Sequence, residues 1–146
     1  MNLDTALQVV EAARRTADEI GVPMAIAVMD AGKHPVVMVR MDGALPLAVD
    51  TVLAKARTAI QYGCTTGEVL EAARGNPTVY DSFLTAAPDP MVYSRGGIPL
   101  RVDGVIVGAV AASGADGDLD EQVAGAGADA FAAIETSATG SAPPGG

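Results

Sequence analysis

The sequence predicts an α+β fold, an antiparallel sheet with helices packed against it. Three observations carry that expectation. Residues 98–102 and 105–111 are apolar runs rich in β-branched side chains. Asp103-Gly104 lies between them, the pair that suits a type I′ two-residue turn because both central positions take φ > 0. Residues 22–29 and 36–41 repeat the pattern around Asp30-Ala31-Gly32-Lys33-His34-Pro35 and form another hairpin. The remaining segments place apolar residues three and four apart, the period of helices that bury one face.

In chain order, Leu3, Leu7, Val10, Ala17 and Ile20 form one stripe with Glu11, Arg15, Asp18 and Glu19 off it, so residues 3–20 read as a helix stopped by Gly21. After the first hairpin, Val49, Val52, Leu53, Ala56 and Ile60 mark a helix over residues 47–62, closed by Gly63. Thr65-Thr66-Gly67-Glu68 matches a capping box, in which the Thr65 hydroxyl and Glu68 carboxylate each satisfy a free backbone N–H; the helix it opens runs to Arg74. Gly75-Asn76-Pro77 breaks that helix, and Pro77 opens another to about Leu84. Ala87-Pro88-Asp89-Pro90 then imposes extended or turn geometry, and residues 91–94 are a candidate short strand.

The run at 105–112 is apolar without alternation, which predicts a central strand covered on both faces. Beyond it, Asp118 or Asp120 caps a last helix through Ile134, acidic where the helix dipole favours it. Residues 137–146 are Ser, Ala, Thr, Pro and Gly and read as a flexible tail, leaving one domain over residues 1–136.

Composition narrows the function classes. A chain of 146 residues is long enough for one well-buried core. Its formal net charge of −9 opposes binding to phosphate backbones and gives no support to anionic lipid surfaces, so neither nucleic acid nor membrane is an expected partner. Cys64 is the single cysteine, and Met1-Asn2-Leu3-Asp4 does not resemble a secretory leader; a cytoplasmic location is expected. With 3% aromatic residues and no tryptophan, the core must be built from Ala, Val, Leu, Ile and Met. Such smooth surfaces suit close helix–sheet packing and subunit packing alike.

Several motifs occur in order: Asp30-Ala31-Gly32, Arg40-Met41-Asp42-Gly43-Ala44, Lys55-Ala56-Arg57-Thr58-Ala59, Gly96-Gly97-Ile98-Pro99-Leu100, and Val107-Gly108-Ala109-Val110 leading to Ser113-Gly114. Together they resemble the GlcG/HbpS-like family, related to the corrinoid-associated PduO C-terminal domain, over most of the chain. The resemblance implies a profilin-like α-β-α sandwich with a five-stranded antiparallel sheet, assembly into a homo-oligomer, and a small-molecule ligand, with haem or another tetrapyrrole as the family's example. Val110-Ala111-Ala112-Ser113-Gly114 departs from the family's usual Ile-Gly-Val-Ser-Gly, and the added methyl is expected to narrow a neighbouring pocket.

Candidate chemistry falls into three groups. Arg40, Asp42 and Lys55 lie at the motifs joining the first hairpin to the next helix. An Arg to hold a carboxylate and a Lys or Asp to carry a proton would suit an enzyme acting on a small carboxylate or carbonyl compound without a cofactor. A turn lock with Lys55 on a wet helix face explains the same residues. His34 is a further proton carrier or ligand, or an exposed turn residue. Gly96, Gly97, Pro99 and Ser113 are candidate ligand-binding residues, the glycines by allowing close backbone approach, and Arg95 and Arg101 flank them with positive charge.

Haem would need an axial donor, with Tyr80, Tyr93, Cys64 or a methionine competing with His34. Glu68 and Glu71 share a helix face and suit a hard cation, although capping and solvation account for them equally. Asp116-Gly117-Asp118-Leu119-Asp120 begins like a calcium loop but continues with Glu121 and places Gly127 twelfth, so it fails that pattern and no metal site is expected. The sequence thus reads as a small-ligand-binding protein, with the proton-transfer enzyme as the alternative.

Overall fold

The computed structural model describes residues 1–140. The elements are α1 (Leu3–Ile20), β1 (Ala25–Asp30), β2 (Pro35–Arg40), α2 (Pro46–Tyr62), α3 (Thr66–Gly75), α4 (Pro77–Ala86), β3 (Gly97–Val102), β4 (Val105–Ser113) and α5 (Gly117–Gly140). The sheet runs β2-β1-β4-β3, with each neighbouring pair antiparallel. Both expected hairpins are present. Asp103 and Gly104 take φ of 50° and 78°, the turn that their identities demand. β4 lies between β1 and β3, and its stretch from Gly108 is buried, in keeping with its unbroken apolar run.

Among the described residues the sheet has four strands rather than five. Residues 91–94 form no ladder: the Val92 N–H donates to Thr58 Oγ1 at 3.1 Å, and the Pro90 carbonyl accepts from Arg57. Side chains of α2 thus take backbone groups that a fifth strand would have paired.

Two cores lie on the two faces. On one, Ile26, Val28, Val110 and Ala112 pack with Val9, Val10 and Ala13 of α1 and Val123, Ala124 and Phe131 of α5. On the other, Ala25, Ala27, Met29, Ala109 and Ala111 meet Ala48, Val52, Ala56 and Ala59 of α2. A fully buried Val, Ile or Met contributes roughly 1.5–3 kcal/mol, so the first core supplies more of the hydrophobic stabilisation. The alanine-rich second core instead lets α2 lie close to the sheet, and that approach positions the site.

Cap chemistry sets the helix starts. Asn2 Oδ1 accepts from Thr5 N at 2.8 Å to open α1, and the Thr65/Glu68 capping box opens α3 with both bonds made. At α5 the cap is Asp116, whose Oδ1 accepts from Leu119 N at 3.0 Å, rather than Asp118 or Asp120. Asp120 is turned inward. α5 also continues to Gly140, beyond the expected end near Ile134 and into the segment read as a tail. Thr136 donates to Ala132 O and Thr139 to Thr136 O, so hydroxyls that would otherwise solvate a loop bond back to this helix. Residues 141–146 of the expected tail lie outside the described residues.

Candidate functional site

α2 crosses the sheet face at the carboxyl end of β4, where its neighbours turn toward α5. Lys55 sits one turn beyond Thr51, on the same side of α2. Its ammonium donates to Asp120 Oδ2 at 2.7 Å and to Ala112 O at 3.2 Å. The two side chains are 3% and 4% exposed, a buried ion pair joining α2 to α5. Asp120 Oδ1 accepts from Ala115 N at 2.9 Å, which ties the β4–α5 connection to the pair. Burial pushes the Asp120 carboxyl above its ordinary value, opposed by the hydrogen bond and charge of Lys55.

This pair forms part of the wall of an open cleft of about 320 Å³. Thr51 and Ser113 add hydroxyls, 2.7 Å apart, and Leu45, Leu47, Ala48, Val92 and Ala115 give it an aliphatic lining. That volume lies at the lower end of small-molecule pockets, roughly 300–1,000 Å³.

Gly96 and Gly97 stand behind the ion pair. Gly96 has φ of +121°, and a Cβ there would lie 2.5 Å from Ala112 O, 2.9 Å from Asp120 Cβ and 3.1 Å from Lys55 Nζ. At Gly97 it would meet Lys55 O at 2.6 Å and Thr66 Cγ2 at 2.7 Å, while the Gly97 N–H donates to the buried Thr66 hydroxyl. Their close approach is to α2, α3, α5 and β4, which fixes where Lys55 and Asp120 meet. Pro99 lies in edge strand β3 opposite Ala109, away from the cleft lining.

Of the expected catalytic residues, only Lys55 reaches the cleft. Arg40 ends β2 and is exposed, Asp42 follows it on an exposed turn, and neither side chain makes a hydrogen bond or ion pair among the described residues. His34 is 81% exposed on the β1–β2 turn, with its ring 3.5 Å from Asp30. Arg95 pairs with Glu121 at 3.0 Å, and Arg101 donates to Gly63 O, so both flanking arginines are engaged by protein groups. Ala111 and Ala112 are buried in the two cores on opposite faces, so their methyls do not narrow this cleft.

Glu68 serves the capping box and Glu71 pairs with Arg74; among the described residues no group of three His, Cys, Asp or Glu side chains could hold a metal ion. No described helix is long and apolar enough to cross a membrane.

Thr51 and Asp120 were absent from the sequence's candidate site residues. Each carried a signal: Thr51 precedes Lys55 by four residues, and Asp120 lies on the buried stripe of α5 with Val123, Ala124, Gly127 and Phe131. A carboxylate on a core-facing stripe calls for a buried partner.

A family model described as "Haem degrading protein HbpS-like" matches residues 1–129. The chain belongs to the HbpS-like family. Among curated relatives it is 37% identical to protein GlcG of Escherichia coli (strain K12) over 109 residues, covering 74% of this chain and 77% of that one. Among solved structures, protein ORFY of Klebsiella pneumoniae superposes with a TM-score of 0.84 at 28% identity, covering 91% of each chain. A double mutant of Streptomyces reticuli HbpS superposes with a TM-score of 0.80 at 33% identity, covering 88% of this chain and 85% of that one. A PduOC:haem complex shares the fold at 24% identity, with a TM-score of 0.81 and coverage of 89% and 94%.

The HbpS-like family description brings haem into view, and the donors can be tested against it. No His, Cys, Met or Tyr lines the cleft, and its one nitrogen side chain, Lys55, is held by Asp120. Tyr62, Tyr80 and Tyr93 pack on one another elsewhere, with Tyr93 donating to Tyr80 O at 2.6 Å. Cys64 follows α2, its thiol pushed up by burial and by the Glu68 charge. The cleft's donor set does not fit an axially ligated haem.

Proposed function

We propose that this HbpS-like chain is a small-molecule-binding protein whose ligand occupies the cleft between α2, the end of β4 and the start of α5. The buried Lys55–Asp120 pair on that wall carries the reading. Removing both ions from water costs several kcal/mol each, and an apolar pair of the same volume generally serves stability as well or better. An ion pair set in the wall of a cleft lined by aliphatic side chains and the Thr51, Ser94 and Ser113 hydroxyls supplies what an apolar pair would lack, a fixed ionic contact for a ligand.

Haem is the second reading, supported by the family description and by the haem-bound PduOC neighbour of the same fold. The cleft lining favours a smaller ligand. The proton-transfer alternative loses its assembled acid, base and anion holder, because Arg40, Asp42 and His34 stand outside the cleft. A homo-oligomer, implied by the resemblance, remains part of the proposal; light scattering that gives a multiple of the chain mass supports it, and a monomer mass rejects it.

Ser94 lines the cleft and makes no side-chain hydrogen bond among the described residues, so Ser94→Phe fills the space without removing a contact. A thermal-shift screen of small aliphatic compounds should find binders to the wild type that Ser94→Phe no longer recognises. Equal responses from both proteins would overturn the cleft assignment. Hemin titrated into both proteins decides the second reading: a saturating, shifted Soret band lost in Ser94→Phe would place haem in the cleft, against the proposal.

A further inference from the structure

The Lys55–Asp120 pair has a covalent chemistry that holding a ligand does not use; the inference rests on the cleft reading above. Both side chains line the cleft, with Lys55 Nζ and Asp120 Oδ2 2.7 Å apart. Ala112 O accepts a second N–H of Lys55 at 3.2 Å, and the third position around the nitrogen has no partner among the described residues. Asp120 Oδ1 is held by Ala115 N, which leaves Oδ2 to exchange a proton with the amine.

Burial disfavours separated charge, so this pair has a neutral form close at hand: one proton passed from Nζ to Oδ2 leaves an amine beside a carboxyl. The Asp120 carboxyl is already pushed up by burial, toward holding that proton. A desolvated lysine beside a proton acceptor is the arrangement that turns this side chain into a carbonyl nucleophile. An ordinary lysine at pH 7.5 is only about one part in a thousand free amine.

We infer that Lys55 forms an imine with a small aliphatic aldehyde held in the cleft, with Asp120 carrying the protons. The nitrogen attacks the carbonyl carbon, the C=O π pair moves to the oxygen, and that oxygen takes the proton from Asp120. The new secondary ammonium returns a proton to Asp120, which passes it to the hydroxyl. The hydroxyl leaves as water while the nitrogen lone pair forms C=N. The protonated imine then faces the Asp120 carboxylate, so the wall ends with the charges it began with. Leu45, Leu47, Ala48, Val92 and Ala115 cover the alkyl chain, and a cleft of about 320 Å³ suits a short one.

Hexanal with sodium cyanoborohydride at pH 7.5 traps the imine as a hexyl amine, which peptide mass mapping locates. Lys33, on the β1–β2 turn, is the one other lysine of the sequence and serves as internal reference. Folded wild type should be labelled at Lys55 about tenfold or more faster than at Lys33, a preference lost in urea and in Ser94→Phe. Asp120→Asn, where circular dichroism shows it folded, should lose the preference too; a preference retained there overturns the part given to Asp120. Wild-type labelling of Lys55 no faster than of Lys33 overturns the imine, and if hexanal still gives a saturable thermal shift that Ser94→Phe abolishes, the cleft reading stands without it. Fast labelling of Lys55 that Ser94→Phe does not slow overturns both, because the aldehyde then reaches Lys55 by another route.

Discussion

Replacing Lys55 by methionine leaves Asp120 buried with its charge and one of its two hydrogen bonds gone. At 2.7 Å, two unit charges attract by about 6 kcal/mol at an effective dielectric of 20, of the same order as the cost of dehydrating them. The intact pair is therefore near balance, and removing one partner exposes the other's uncompensated cost: Lys55→Met and Asp120→Asn should each destabilise by about 3–5 kcal/mol. The double variant differs. The carboxamide that Asp120→Asn introduces still accepts from Ala115 N through its oxygen and carries no charge, so no uncompensated ion is left in the wall. It should fall within about 1–2 kcal/mol of the wild type, leaving a coupling of roughly 3 kcal/mol or more between the sites. Urea denaturation followed by far-UV circular dichroism reads this as midpoint shifts at constant slope. Single variants that each cost under about 1 kcal/mol and add in the double would refute the reasoning, because that is how solvated pairs behave.

Other substitutions probe the surroundings of the pair. Gly96→Ala should cost more than about 2 kcal/mol, since its Cβ would press on Ala112 O and Asp120; Gly104→Ala, with φ of +78° but open space around it, should cost about 1–2 kcal/mol, and equal losses by denaturant melts would contradict the close approach. Asp120 binds its proton more tightly folded than unfolded, so its contribution to stability should fall as pH rises from its ordinary value, about 3.9, through the raised one. The stability of the wild type minus that of Lys55→Met/Asp120→Asn should therefore decline across that window, and a rise would contradict burial as the dominant cause. Cys64 should react slowly with iodoacetamide at pH 7–8 and accelerate in more alkaline solution, because burial and the Glu68 charge hold its thiol protonated; rapid labelling at pH 7 would contradict this.

Local chemistry was legible in the sequence where the structure depends on neighbours along the chain. The Asp103-Gly104 turn, the Thr65/Glu68 capping box and the bounds of α1 follow from residues within a few positions of each other. The site depends on contacts between distant residues. Lys55 and Asp120 are 65 positions apart, and an aspartate at the start of a helix reads locally as a cap until its place on the buried stripe is weighed. The absent fifth strand has a similar origin, because Thr58, 34 residues before Val92, takes the N–H that a ladder would use. Arg40 and Asp42 looked like part of a pocket because they border α2 in sequence, yet α2 turns Thr51 and Lys55 toward β4 and leaves β2 at the far edge of the sheet.

Where a ligand sits is the central claim, and an amide chemical-shift map locates it directly. Isotope-labelled protein titrated in turn with hexanamide, 1-hexanol and hexanoate should show saturable shifts centred on Thr51, Ser113, Gly114 and Ala115 for at least one of them, absent in Ser94→Phe. Saturable shifts centred instead on the Tyr62, Tyr80 and Tyr93 cluster, or on the turn carrying His34, would contradict it.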